Sequence, residues 1–178
     1  MPNKGRTMQN GITWQYFPKS SSMPKHLIDV VALFEKRNPR IRSEEHKLSS
    51  DQVLDVLRKD LNQIGFKVET NKREEGIVKV PVLFGLKGKP EKSFQADGIH
   101  EETGTVIEIE AGRGVTNYQF LKDIFQACMM HNVNYLIIAV RKIYRGNRNF
   151  DTVLRFLETL YSSGRLRLPL EGILLIGY

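Results

Sequence analysis

The chain has 178 residues, 40% of them hydrophobic and 26% charged, which suits one globular domain with enough material for a core. Its longest apolar runs, 135–140 and 172–176, are too short to span a bilayer, and the N-terminal stretch lacks the apolar segment of a secretory signal, so neither a membrane span nor export is expected. A formal charge of +7 favours a polyanionic partner through counterion release, and the single cysteine, Cys128, excludes an intrachain disulfide and fits a cytoplasmic protein.

Residues 1–23 carry Lys4, Arg6 and Lys19, no acidic residue, and the aromatic group Trp14, Tyr16 and Phe17. They read as a basic N-terminal arm pinned by its aromatics, or as an extension packed on the domain, which then occupies 24–178. Pro24 suits the first turn of a helix, and Leu27, Val30, Val31 and Phe34 give that helix an apolar stripe that Pro39 is expected to end. A second helix is capped by Ser49 or Ser50, carries Val53, Leu54, Leu57, Leu61 and Ile64 at helical spacing, and stops at Gly65.

The period then changes. Residues 66–70 and 77–84 read as strands around a charged turn, and 85–90 as a basic loop. Residues 93–99 and 105–110 read as a hairpin. Beyond Gly112 and Gly114, Thr116 is placed to cap a helix with Gln119 as its capping-box partner. That helix runs to about His131 with Leu121, Ile124, Phe125 and Cys128 on one face. Residues 135–140 form a continuous apolar run, the mark of a strand buried on both faces. An amphipathic helix over 150–161 and a last apolar strand over 172–177 complete the order. The fold class is α/β, with a mixed central sheet flanked by helices.

Chemistry concentrates in the hairpin. Side chains alternate along a strand, so Glu108 and Glu110 share a face while Ile107 and Ile109 turn the other way. With a four-residue loop over 100–103, Ile99 pairs with Gly104 and Asp97 with Val106. Asp97 then lies diagonal to Glu108 at roughly 7–8 Å. Three carboxylates on one face repel one another unless protons or a cation intervene, and Mg²⁺ prefers carboxylate, water and phosphate oxygens. The same Val-Ile-Glu-Ile-Glu pattern also describes an ordinary half-exposed strand. The order of elements around it shifts the reading toward a site.

With Asp97 in the first arm and Glu108 and Glu110 in the second, residues 43–145 resemble the PD-(D/E)xK nuclease superfamily and its restriction-endonuclease-like αβββαβ core. The resemblance implies that Asp97 and Glu108 ligate Mg²⁺, with Mn²⁺ able to substitute, and that the chain hydrolyses phosphodiester bonds of double-stranded DNA as a restriction-type, type II-like endonuclease. Two positions depart from the family pattern: Ala96 replaces the proline, and Glu110 replaces the lysine. A Glu-x-Glu version occurs in some members, which makes Glu110 a second ligand or a base. The alternative is a catalytically silent DNA-binding or interaction module of the same fold. A third reading, carboxylate chemistry on a small substrate, sits less well with the basic charge. Symmetric cutting of a duplex is most simply done by a homodimer.

Supporting residues follow from position. Arg113 is placed to hold a phosphate or to neutralise Glu110, Lys122 to return the missing positive charge, and Asp55 to add a helix carboxylate. Lys87, Lys89, Lys92, Arg145 and Arg148 lie in loops where they can track a nucleic-acid backbone. His100 and His131 read as turn or cap residues, and Cys128 as a structural thiol.

Overall fold

Apolar pairing on both faces sets the centre of the molecule. In the computed structural model, which describes residues 11–112, 115 and 117–178, β6 (Thr105–Glu110), β7 (Tyr135–Val140) and β10 (Gly172–Gly177) lie parallel and side by side. Residues Leu136–Val140 and Ile173–Ile176 are all essentially inaccessible to solvent, as expected of strands covered on both faces. β1 (Thr13–Phe17) joins β10 antiparallel, and β5 (Gly98–His100) followed by β2 (Lys67–Val68) extends the other side. The sheet order is β1-β10-β7-β6-β5-β2, a mixed sheet in a mixed α/β fold.

Four helices among the described residues cover the sheet. α1 (Lys25–Ile41) and α2 (Ser50–Gln63) pack Leu27, Val30, Phe34, Val53, Leu57 and Leu61 against Ile107, Ile109, Ile137 and Leu174. α3 (Gln119–Met129) and α4 (Asn149–Ser163) cover the opposite face, with Phe120, Ile124, Val153 and Leu157 meeting Val106, Leu136, Ile138 and Leu175. No helix among the described residues is long and apolar enough to cross a membrane.

The α2 signals hold as read. Ser49 accepts from the Gln52 backbone and the Gln52 side chain answers to the Ser49 N–H, a full capping box. Gly65 follows the helix at φ 98. Elsewhere tertiary packing overrides the local signals. Pro39 does not end α1, because near the C-terminus its missing N–H costs a single bond while Ile41, 1% exposed, holds the last turn on the core. The expected arm gives way at Thr13: Tyr16 and Phe17 are buried in an edge strand of the central sheet, so the domain begins before residue 24. The rest of the arm, residues 1–10, lies outside the described residues. The strand expected over 66–70 shrinks to two residues because its partner, β5, is only three long.

The expected strand 93–99 is broken. β4 (Pro90–Ala96) leaves the central sheet and pairs with β3 (Val78–Phe84) as a separate two-stranded ribbon. Asp97 is the bend between β4 and β5. α3 begins later than expected, after Tyr118 in a left-handed conformation, so Gln119 is its first residue and not a capping partner. Its buried face is Phe120, Asp123, Ile124 and Ala127, while Phe125 is exposed. Thr116 lies outside the described residues.

Candidate functional site

The β5–β6 hairpin pairs His100 with Thr105, Ile99 with Val106 and Gly98 with Ile107. The connection is therefore 101–104, and the expected pairing of Ile99 with Gly104 is off by two residues. The physical reason is His100, which belongs to the strand. Its ring packs edge-on to Phe66 at 5.3 Å and its Nδ1 takes the Thr103 N–H at 3.3 Å, closing the turn. Gly104 follows at φ 62, where an added Cβ would collide with the Asn132 carbonyl oxygen.

A slip of two residues leaves every side chain on its own face, whereas a slip of one would reverse them. Asp97 therefore stays with Glu108 and Glu110. It lies one residue beyond the last pair of the ladder, Gly98 with Ile107, next to Glu108. Where β4 turns away, Asp97 Oδ2 accepts the Ile109 N–H at 2.7 Å and the Asp97 carbonyl accepts the Glu69 N–H at 2.8 Å. The three carboxylates are half-buried. Glu108 and Glu110 close the C-terminal half of β6, on the face covered by α3.

A fourth carboxylate completes the group. Asp123, 4% exposed, points from α3 into the same space. Burial raises the proton affinity of all four. Asp97 is pushed up to about 6, held from going higher by the Ile109 N–H and by Lys72. Glu108 is pushed well above the ordinary glutamate range by burial and then by Asp97, Asp123 and Glu110. Glu110 is pushed up to about 8 by burial and then by Asp123, both as a charge and as a hydrogen-bond partner. Asp123 is raised by burial and drawn back by that same bond. The pair therefore competes for a shared proton. Among the described residues Asp123 Oδ2 is buried without a hydrogen-bond partner.

These donors suit a hard divalent cation. All are carboxylate oxygens, they repel one another when ionised, and one buried oxygen lacks a partner. As they stand, however, no three acidic, histidine or cysteine side chains among the described residues are grouped as around a metal ion. Asp97 is committed through Oδ2 to the backbone, and Glu110 and Asp123 to their shared proton. Carboxyls held apart by protons and backbone bonds would have to reorient to gather around an ion.

Cations ring the cluster. Lys122 Nζ stands 3.8 Å from Asp123 Oδ1 and lowers the proton affinity of Glu108 and Glu110. Lys72 Nζ pairs with Glu69 at 2.8 Å and Asp51 at 3.3 Å beside Asp97. Arg113 lies outside the described residues. Asp55 does not join the carboxylates; it is exposed and paired with Arg58 at 2.5 Å. Arg145 lies in the turn between β8 (Ile143–Tyr144) and β9 (Asn147–Arg148), with its guanidinium 5.4 Å from the Tyr144 ring. That ring approaches Gly112, which places the hairpin near the carboxyl end of β6. Arg148 is bound to Asp151 at 2.6 Å. Lys87, Lys89 and Lys92 are exposed on the β3–β4 ribbon.

Comparison with protein-family models gives no match, and comparison with curated proteins gives none. Asp123, Glu69 and Lys72 were not singled out from the sequence. A signal for Asp123 was present: it occupies one position of the stripe Phe120, Asp123, Ile124 and Ala127, where an apolar residue is the norm. Glu69 and Lys72 reach the site because 66–72 curls past Asp97, which no local pattern announces.

Proposed function

We propose that the chain is a Mg²⁺-dependent endonuclease of restriction-endonuclease-like architecture, hydrolysing phosphodiester bonds in double-stranded DNA. One observation carries this reading: Asp97 is bound to the Ile109 N–H between Glu108 and Glu110, which share a face at the carboxyl end of a parallel strand. Ligands of open α/β sheets bind outside the carboxyl ends of such strands, and the order and spacing of the acids match the nuclease superfamily that residues 43–145 resemble. The charge of +7 supports a polyanionic substrate.

Asp97 and Glu108 would hold the ion, with Asp123 a further oxygen donor from α3. A bound Mg²⁺ or Mn²⁺ supplies a water of lowered pKa and a positive centre beside the scissile phosphate. Glu110, whose proton affinity reaches about 8, is basic enough in its ionised form to take a proton from an attacking water. Lys122 and Lys72 flank the carboxylates and favour the phosphate's developing charge. Symmetric cleavage of both strands would use a two-fold pair of chains.

Incubation with supercoiled plasmid tests the reading. Nicking should require Mg²⁺ or Mn²⁺, stop with EDTA, and vanish in Asp97→Asn and Glu108→Gln. A silent DNA-binding module is favoured by one observation, Glu110 where the nuclease superfamily commonly has lysine. It would bind the plasmid equally with and without metal and never nick it.

A further inference from the structure

Apart from the carboxylate cluster, the least explained feature of the surface is the β3–β4 ribbon. Each strand is seven residues, so the ribbon is roughly 23 Å long. Its root is anchored: Val78, Val80 and Ala96 are at most 3% exposed. Its outer half is not, and Leu86 at the tip is 92% exposed. Between residues 78 and 96 the chain carries Lys79, Lys87, Lys89 and Lys92 against the single acid Glu91. Lys79 is paired with Glu74. Lys87, Lys89 and Lys92 have no ion pair among the described residues.

The ribbon is tied to two of the segments that carry the carboxylates, the Asp97 bend and α3. β4 runs into Asp97 without a spacer residue. At the other strand the Pro81 carbonyl accepts the His131 N–H at 2.8 Å, and the Phe84 and His131 rings meet edge to face at 4.9 Å, just beyond the end of α3. A molecule held by the ribbon is thus placed relative to Asp97 and Asp123.

We propose that this ribbon enters the major groove of duplex DNA, with Lys87, Lys89 and Lys92 on the flanking phosphates and Leu86 against base edges. The inference rests on the reading of DNA as substrate and adds the element that reads it. Two strands ~4.8 Å apart, with their side chains, suit a groove ~12 Å wide, and a minor groove of ~6 Å is too narrow. An apolar tip between lysines has a use there, because thymine methyl groups offer apolar contact and phosphates line the rim. Self-association through the tip would bring like charges together, so a polyanion is the better occupant.

The test is equilibrium binding of a short duplex in EDTA, where cleavage plays no part. For the triple variant Lys87→Ala, Lys89→Ala, Lys92→Ala, the slope of log affinity against log salt should become shallower by about 2–3, close to 0.9 for each lost phosphate contact. Leu86→Ser should weaken binding without changing that slope. A duplex whose cytosines carry glucosylated hydroxymethyl groups, which fill the major groove, should be bound as poorly by wild type as plain duplex is by the triple variant. Netropsin in the minor groove should not compete. An unchanged salt slope overturns the proposal. So does normal binding of the glucosylated duplex, displacement by netropsin, or a wild type that binds no duplex at low salt. A wild type that binds through the ribbon but never cleaves with Mg²⁺ or Mn²⁺ sinks the nuclease reading and leaves the ribbon in place.

Discussion

Replacing Asp97 with asparagine should make the protein more stable while abolishing cleavage. The carboxyl is half-buried, and its proton affinity in the folded chain, about 6, exceeds the ordinary aspartate value of ~3.9. An acid that holds its proton more tightly when folded stabilises the fold in its protonated form. That stabilisation is complete below pH ~3.9 and is lost as the pH rises through about 6. At ~1.4 kcal/mol per tenfold, the wild type gives up about 2–3 kcal/mol across this interval. Asparagine never ionises, and its side-chain oxygen can keep the Ile109 N–H that Asp97 Oδ2 accepts at 2.7 Å. In EDTA the variant should therefore match the wild type near pH 4 and exceed it by about 2–3 kcal/mol at neutral pH and above. For a chain of this size that is roughly 4–12 °C in Tm. Urea titration at several pH values measures the gap, and plasmid nicking measures the loss. A variant that is destabilised at high pH, or whose advantage does not grow with pH, would refute the placement of a desolvated, ionisable carboxyl at this bend.

Three further outcomes follow. Glu110→Gln should lose most of the nicking rate with little change in DNA affinity, as for a group acting mainly in the transition state, while Glu110→Lys, which introduces the lysine common in the nuclease superfamily that the chain resembles, should be inactive if Glu110 ligates the metal; full activity in Glu110→Ala would reduce the residue to surface. Asp123→Asn should raise the Mn²⁺ concentration needed to raise Tm while leaving duplex binding in EDTA unchanged, and an unaltered Mn²⁺ requirement would remove Asp123 from the site. Phe17→Ala should cost about 3–5 kcal/mol by emptying a site that is 1% exposed, and deletion through residue 22 should unfold the chain by stripping β1 from β10; a stable product of that deletion would contradict the edge-strand assignment.

Where one face of an element was plainly apolar, the sequence was enough to place it. The serine cap of α2, the buried runs of β7 and β10, and the shared face of Glu108 and Glu110 all rest on period and on local chemistry. The expected hairpin register differs by two residues from the observed one, yet the face assignment holds because the side-chain period is two. What escaped was non-local. β1 looks like a basic arm because its partner lies about 160 residues away on the register Thr13 with Gly177. The break at Asp97 escaped because β4 pairs with β3 in a ribbon separate from the main sheet. Asp123 escaped because its value depends on facing Glu110, and an isolated acid on a helix is usually solvated.

Soaking a crystal in Mn²⁺ and calculating the anomalous difference map tests the central claim most directly. A single strong peak should lie between Asp97 and Glu108, within about 2.0–2.3 Å of a carboxylate oxygen from each, with Glu110 or Asp123 turned toward it and the Asp97–Ile109 bond loosened. A map with no peak at these residues, in crystals of a protein that nicks plasmid with Mn²⁺, would place the metal chemistry elsewhere and contradict the account.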